Sequence, residues 1–157
     1  MADMKNMNFA ITVDDGSRRV PIMNMDGEEI GAFRFHPTDI GIIDRYNHMA
    51  EQFDAITEPL KAVGGEDGVT DISDPRCAEA LTEAGERLYA AVDALLGCEG
   101  AAAAFFGRMN PFSPINGDFY CTQVLNVLGQ FIGAQFEAET ARFGEKAKKY
   151  AKKASRA

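Results

Sequence analysis

The chain has 157 residues, a length that fits one compact domain better than two. Its composition, with 46% hydrophobic and 25% charged residues, is typical of a folded globular protein and argues against a membrane protein or a globally disordered chain. A net charge of −8 argues against nucleic acid as a partner, because the phosphate backbone requires a basic surface.

Residues 8–35 predict an antiparallel β-meander of three strands. The first segment lacks the apolar core of a signal peptide and ends at a turn-forming cluster, residues 14–17, while the second reaches Asp26-Gly27, a preferred hairpin turn. Pro21 cannot donate a ladder hydrogen bond, so it requires a bulge, the start of a strand or a less simple strand order. The three predicted strands are residues 8–13, 19–25 and 28–35.

Residues 38–143 predict a helical part with three long helices. The first is expected to begin at Thr38, which can cap its N-terminus, and to end or kink at Pro59. Its apolar residues recur at spacings of three or four and form one stripe that should face the core. That stripe consists of Ile40, Ile43, Tyr46, Met49, Ala50, Phe53 and Ile56.

The second and third long helices follow a polar linker at residues 64–71. Asp74 with the proline after it is a typical helix start, and Gly97 is a typical helix stop. The third long helix should begin at Asp118 and reach Phe143 or continue beyond it. The residues of the second helix that are expected to face inward are Cys77, Leu81, Ala84, Leu88, Val92 and Leu95.

Between the last two long helices the sequence predicts a short apolar helix at residues 99–108 and a loop at residues 109–117, where two prolines exclude regular helix. Strands come first in the chain and helices follow, which indicates an α+β fold. We expect a single domain over residues 1–157, with a basic C-terminal tail at residues 144–157.

No group of residues in the sequence forms a convincing catalytic, cofactor or metal site. Asp44, His48 and Glu51 share one helix face, but a closed metal site needs about four ligands, so a solvated polar face is the simpler interpretation. The three cysteines form no CxxC pair and lie in no nucleophile signature, which suits free, mostly buried thiols in a reducing cytosol. We therefore expect a non-enzymatic cytoplasmic protein without cofactor or metal.

Gly129 and Gly133 stand four residues apart in the most apolar predicted helix. A glycine costs about 1 kcal/mol in a helix interior, but the pair allows another backbone to approach closely. Two interpretations follow from this spacing. The glycines contact the chain's own first or second helix, or they form the face of a homo-oligomer.

A second candidate interaction surface lies in and beside the loop with the two prolines. Its apolar side chains would normally need cover. Either a partner protein covers them, or the segment folds back and caps the domain's own core. The residues concerned are Phe105, Phe106, Met109, Phe112 and Ile115.

The charges of the chain are strongly polarised. Residues 145–157 contain six basic residues and one acidic residue, a net charge of +5, so the other 144 residues carry −13. Basic residues stabilise a helix C-terminus, which makes a solvated helix end the favoured interpretation. Contact with nucleic acid or with an acidic partner are the alternatives.

Two longer segments of the sequence carry a family resemblance. Residues 27–53, GEEIGAFRFHPTDIGIIDRYNHMAEQF, combine a strand, an aromatic-x-Pro-Thr-Asp junction and an amphipathic helix, and residues 107–128 form a second block. The first resembles the N-terminal region of tail assembly chaperones of long-tailed bacteriophages and prophages, and the second resembles small phage tail-region proteins. The resemblance implies a non-enzymatic protein in the cytoplasm of the bacterial host, which binds the tape-measure protein and keeps its hydrophobic helices soluble during tail assembly.

A structural phage protein is the alternative from a different class. A head–tail connector or tail-completion protein would use the hairpin and the Gly129/Gly133 helix for contacts within a ring. The two classes differ in stoichiometry, because a chaperone is absent from finished particles while a structural component is retained. Purified particles would therefore separate the two hypotheses.

Overall fold

The computed structural model describes residues 9–61 and 74–156, where an antiparallel β-hairpin is followed by a mainly helical part. Three of the helices are long, so the predicted α+β class is confirmed. The linker predicted at residues 64–71 lies outside the described residues. The elements in chain order are β1 (Arg18–Met23), β2 (Glu29–Phe35), α1 (Gly41–Lys61), α2 (Pro75–Leu96), α3 (Ala101–Phe106), β3 (Pro114–Ile115), β4 (Asp118–Phe119) and α4 (Tyr120–Arg156).

The N-terminal sheet has two strands where the sequence predicted three. β1 pairs with β2 in antiparallel orientation, with Val20 opposite Phe33. Residues 9–17 form no strand, and Asn8 lies outside the described residues. Ile11 is 90% exposed, so the alternating side chains of this segment meet no apolar face that would hold them in a sheet.

Pro21 lies inside β1, opposite Ala32. Among the described residues β1 has a strand partner on one side only, so a residue without an N–H group can be placed where no ladder acceptor faces it. The register shifts only between Ile22 and Met23, so Pro21 lies in a regular pair inside the strand and neither in the bulge nor at the start of the strand.

α1 begins at Gly41, three residues after the predicted cap Thr38. The side chain that accepts the Gly41 N–H is that of Asp39, whose Oδ1 lies 2.9 Å away. The single apolar stripe predicted for this helix is also wrong in part, because only two of its residues, Met49 and Ile56, are buried. The buried residues of α1 are Ile42, Met49, Ile56 and Leu60.

Pro59 neither ends α1 nor leaves an unpaired carbonyl in it. The helix continues to Lys61. Proline lacks the N–H group that would bond to the Ala55 carbonyl four residues earlier. Arg87 of α2 donates to that carbonyl from Nη1 at 2.6 Å instead, so a side chain of the neighbouring helix replaces the missing bond.

α2 begins and ends where the sequence predicted. The Asp74 side chain caps it by accepting the Arg76 N–H at 3.0 Å, and Gly97 closes it with a left-handed φ of 62°. α2 runs antiparallel to α1, with Arg45 Nε of α1 donating to the Leu95 carbonyl at 2.9 Å. Five of the six predicted inward residues are buried and the sixth, Leu81, packs against the core: the buried ones are Cys77, Ala84, Leu88, Val92 and Leu95.

The short helix α3 packs directly against β2. Asp93 of α2 fixes its start, because its Oδ1 accepts the Ala102 N–H at 2.8 Å. A Cβ atom on Gly31 of β2 would lie only 2.5 Å from the Ala104 carbonyl oxygen. The close contact between strand and helix therefore requires glycine at this position.

The segment predicted as a loop at residues 109–117 contains one strand of a small hairpin. β3 and β4 are joined by Asn116 and Gly117, whose φ angles of 55° and 82° suit a two-residue turn. Asp118 belongs to β4 and α4 begins at Tyr120, so the predicted cap at Asp118 is wrong. α4 then runs for 37 residues, and its N-terminal part packs on the core through buried Cys121, Val124 and Leu128.

Candidate protein-binding surface

The polar groups considered as metal ligands lie on an exposed face of α1. Asp44, His48 and Glu51 are exposed, and His48 Nε2 lies 3.1 Å from Gln52 Nε2. Within residues 9–61 and 74–156, no three His, Cys, Asp or Glu residues are grouped so that they could hold a metal ion. Burial raises the pKa of the Cys121 thiol to about 11, which keeps that thiol protonated at neutral pH.

Phe106 and Phe112 are core residues, each only 3% exposed. The loop before α4 folds back onto α2 through Asn110, whose Nδ2 donates to the Leu81 carbonyl and whose Oδ1 accepts the Phe112 N–H, both at 2.9 Å. For these two phenylalanines the capping of the core is the correct alternative. They do not form an exposed patch.

The other three residues of that segment do not share one surface. Phe105 is half-buried, with its ring centroid 5.4 Å from that of Phe33, and lines a groove of 280 Å³ between the β1–β2 hairpin and α4. Met109 is 39% exposed and lines a different cavity beside α2. Ile115 is half-buried in β3 and lines neither. The structure therefore does not bring the predicted set together.

Gly129 and Gly133 lie on an exposed part of α4. A Cβ atom built on either glycine would meet no atom within 4 Å. The first interpretation of this pair, a tight contact with the chain's own α1 or α2, is therefore wrong for the residues that the structure describes. The small side chains leave open space.

That space is an apolar groove of 340 Å³ between α1 and α4, called the α1–α4 groove below. Ile42 and Leu95 are buried, while Ile43 and Tyr46 are each 52% exposed. Its lining contains no charged side chain, so the groove offers apolar contact and close backbone approach. The lining residues are Ile42, Ile43, Tyr46, Leu95, Gly129, Ile132, Gly133 and Phe136.

Ile43 and Tyr46 were predicted to face the core and instead line this groove. The buried residues Ile42, Met49 and Ile56 follow each other at intervals of seven and form one apolar line along α1. Ile43 and Tyr46 belong to a second line beside it. A second apolar line on a helix whose first line is already covered is a signal for a further contact, and that signal was present in the sequence.

α4 extends far beyond this groove. All residues from 141 to 153 are exposed, including Phe143 and Tyr150 at 73% and 68%. The part after Phe136 continues to Arg156 and is therefore about 30 Å long. This part of α4, residues 137–156, is called distal α4 below.

The chain was also compared with known proteins. No family model matches it, and the comparisons with curated proteins and with solved structures gave no significant match. None of the helices within the described ranges is long and apolar enough to cross a membrane. The interpretation of the α1–α4 groove therefore depends on its own geometry and on the sequence.

Proposed function

We propose that this chain is a non-enzymatic chaperone of bacteriophage tail assembly, which binds apolar helices of the tape-measure protein and keeps them soluble in the cytoplasm of the bacterial host. The observation that carries the proposal is the open α1–α4 groove beside Gly129 and Gly133. The resemblance of residues 27–53 and 107–128 to phage tail proteins supports the same function.

Gly129 and Gly133 destabilise α4, and no contact within the described residues compensates for this loss of stability. Each lowers helix stability by about 1 kcal/mol relative to alanine. Within the described part of the chain, a Cβ on Gly129 or Gly133 would have open space around it beyond the backbone of α4 itself, so packing there does not require glycine. Packing against a second helix would compensate for this loss of helix stability, because two backbones can approach closely where side chains are absent.

The groove also suits the chemistry of an apolar helix. Its rim residues Ile43 and Tyr46 lie on α1, and Phe136 lies on α4, so a helix between them would be contacted from both sides. Each Å² of apolar surface that leaves water contributes about 25 cal/mol. A long helical protein that awaits assembly would gain this cover and lose its tendency to aggregate.

The acidic body of the chain fits the same role. Residues 1–144 carry a net charge of −13, and like charges keep complexes apart in solution. A complex whose apolar helix lies in the groove would present this acidic surface to its neighbours. Charge repulsion would then add to the covering of the apolar helix.

Co-expression with the neighbouring genes tests the proposal, with the soluble fraction of any tape-measure protein that they encode as the readout. The wild-type chain should raise that fraction. The Cβ atom of Gly129→Leu would have open space around it and the rest of the side chain would extend over the groove, so the variant should fold normally and lose most of the effect. Gly144→Leu is the matched control, because Gly144 also has open space around it but lies beyond the groove.

A tape-measure protein that stays insoluble with the wild-type chain, or an equal effect of the two leucine variants, would contradict the proposal. Mass spectrometry of purified particles separates it from a head–tail connector or tail-completion protein. A chaperone is expected to be absent from finished particles, whereas a structural protein would be present at fixed stoichiometry.

A further inference from the structure

Distal α4 exposes aromatic side chains that the fold does not cover. Phe143 and Tyr150 are 73% and 68% exposed, on a helix whose residues 141–153 all face solvent. Most helix stability in proteins comes from packing an apolar face. A partner for this face would therefore stabilise it.

One line of residues along α4 has the spacing of a coiled-coil contact, with alternating steps of three and four. Small residues and aromatic residues alternate along it. The Thr140 hydroxyl donates to the Phe136 carbonyl at 2.9 Å, so burying Thr140 would leave no unpaired donor. The line, called the α4 seam below, consists of Gly133, Phe136, Thr140, Phe143, Ala147 and Tyr150.

The alternation of sizes selects the orientation of a second copy. In a parallel pair, identical residues lie at the same level, so aromatic rings would face rings and small residues would face small residues. In an antiparallel pair centred between Thr140 and Phe143, every ring faces a small residue. The levels are then Phe136 with Ala147 of the second copy, Phe143 with Thr140 of the second copy, and Tyr150 with Gly133 of the second copy.

Charge favours the same orientation. Residues 145–157 carry a net charge of +5, and a parallel pair would place two such segments side by side. An antiparallel pair separates them, and each then lies beside residues 126–138 of the other copy, whose one charged residue is Glu137. In the register given above, Glu139 flanks the seam next to Lys146 of the second copy, and symmetry forms this pair twice.

We propose that two copies of this chain form an antiparallel dimer through the α4 seam. Size and charge complementarity both point to a second copy as the occupant. The inference goes beyond the proposed function and does not depend on it, because most of the seam lies beyond the α1–α4 groove. The two meet only at Gly133 and Phe136, so a helix bound in the groove and a second copy compete there.

Sedimentation equilibrium of the full chain over a range of concentrations tests the dimer. The wild type should dimerise, and Phe143→Asp should raise the dimer dissociation constant by at least about 30-fold, because it places a carboxylate at the centre of the seam. Ala138→Asp adds the same charge on the opposite side of the helix and should leave the dimer intact. A wild type that stays monomeric over the whole concentration range, or a Phe143→Asp dimer of wild-type affinity, would overturn the proposal.

Charge reversal tests the orientation. Glu139→Lys and Lys146→Glu should each weaken the dimer by about 5-fold, since each places like charges opposite one another. The double variant should return to within about 2-fold of the wild type. In a parallel pair Glu139 would lie next to Gly144 of the second copy, so a double variant as weak as the sum of the single ones would overturn the antiparallel register.

Both tests also separate this inference from the proposed function. Phe143→Asp should abolish the dimer while the chain still raises the soluble fraction of the tape-measure protein. Gly129→Leu should remove that effect on the soluble fraction, because its side chain would occupy the groove. The dimer is measured by sedimentation and the chaperone function by the soluble fraction, so the failure of one proposal can be told from the failure of the other.

Discussion

Gly31 and Gly129 are both glycines in regular secondary structure, but their surroundings differ completely. A Cβ atom on Gly31 would lie 2.5 Å from the Ala104 carbonyl oxygen, whereas one on Gly129 would meet no atom within 4 Å. In the packed body of the protein the missing side chain lets β2 and α3 touch. On α4 the described part of the chain leaves that space open, as would suit a contact with another protein.

The two ends of α4 extend this comparison. Near its N-terminus Cys121, Val124 and Leu128 are buried, while residues 141–153 are all exposed in the same continuous helix. The helical backbone therefore continues unchanged from the part that packs on the core into the part that is exposed. Substitutions in the body should change the stability of the fold, and substitutions in distal α4 should change association.

The largest expected effect comes from placing a charge in the body. Phe112→Asp should lower the free energy of unfolding by about 3–5 kcal/mol, because it removes a buried ring and leaves a carboxylate without a partner. Urea denaturation of the isolated chain measures this loss. Ile11→Asp is the control at a 90% exposed position and should stay within about 0.5 kcal/mol of the wild type. A Phe112→Asp chain as stable as the control would show that this segment does not cap the core.

Gly31→Ala tests the first comparison directly. The new methyl group would collide with the backbone of Ala104, so the free energy of unfolding should fall by about 1–3 kcal/mol. The same change at Gly144, which has open space around it, should raise the free energy by up to about 1 kcal/mol through helix propensity. Equal signs for the two substitutions in urea denaturation would mean that β2 and α3 are not in close contact.

The parts of the fold that could be predicted are those that local chemistry determines. α2 was predicted at both ends because Asp74 and Gly97 act on their own backbone neighbours. The turn at Asn116 and Gly117 was also readable, since this dipeptide favours a tight hairpin, but the two prolines nearby suggested a loop. Local sequence was therefore sufficient to predict both α2 and the turn, although the turn was predicted as a loop.

The parts that could not be predicted depend on neighbours distant in sequence. Periodicity identified the apolar residues of α1, but not that α2 would cover Met49 and leave Tyr46 on a groove. Pro59 stays inside α1 because the Arg87 guanidinium of α2 replaces the missing hydrogen bond to the Ala55 carbonyl. No residue close to Pro59 in the sequence indicates this contact. For the candidate site, Gly129 and Gly133 were found from the sequence, whereas the rim on α1 required the packed structure.

A smaller effect is expected from the helix caps of the body. Asp74→Ala should lower the free energy of unfolding by about 1 kcal/mol, since the side chain accepts the Arg76 N–H at the start of α2. Asp118 was predicted as an equivalent cap but belongs to β4, where it accepts only the N–H of Phe119. Asp118→Ala should therefore cost clearly less. Equal losses for the two variants in thermal denaturation would restore Asp118 as a cap of α4.

The smallest expected effect is a response of the body to acid. The pKa of Asp15 lies well below its usual value of 3.8, first because His36 Nε2 bonds to its Oδ2 at 3.0 Å, and then because the Ser17 N–H donates to its Oδ1. A carboxyl group whose pKa is lower in the folded state stabilises the fold above its unfolded pKa, and this contribution is lost as the pH falls through the folded pKa. The melting temperature of the wild type should therefore fall as the pH drops below about 4. Asp15→Asn has no charge to lose at this position, so its melting temperature should fall less over the same range. Equal losses in the two proteins would show that the pair between Asp15 and His36 does not contribute to the stability of the body.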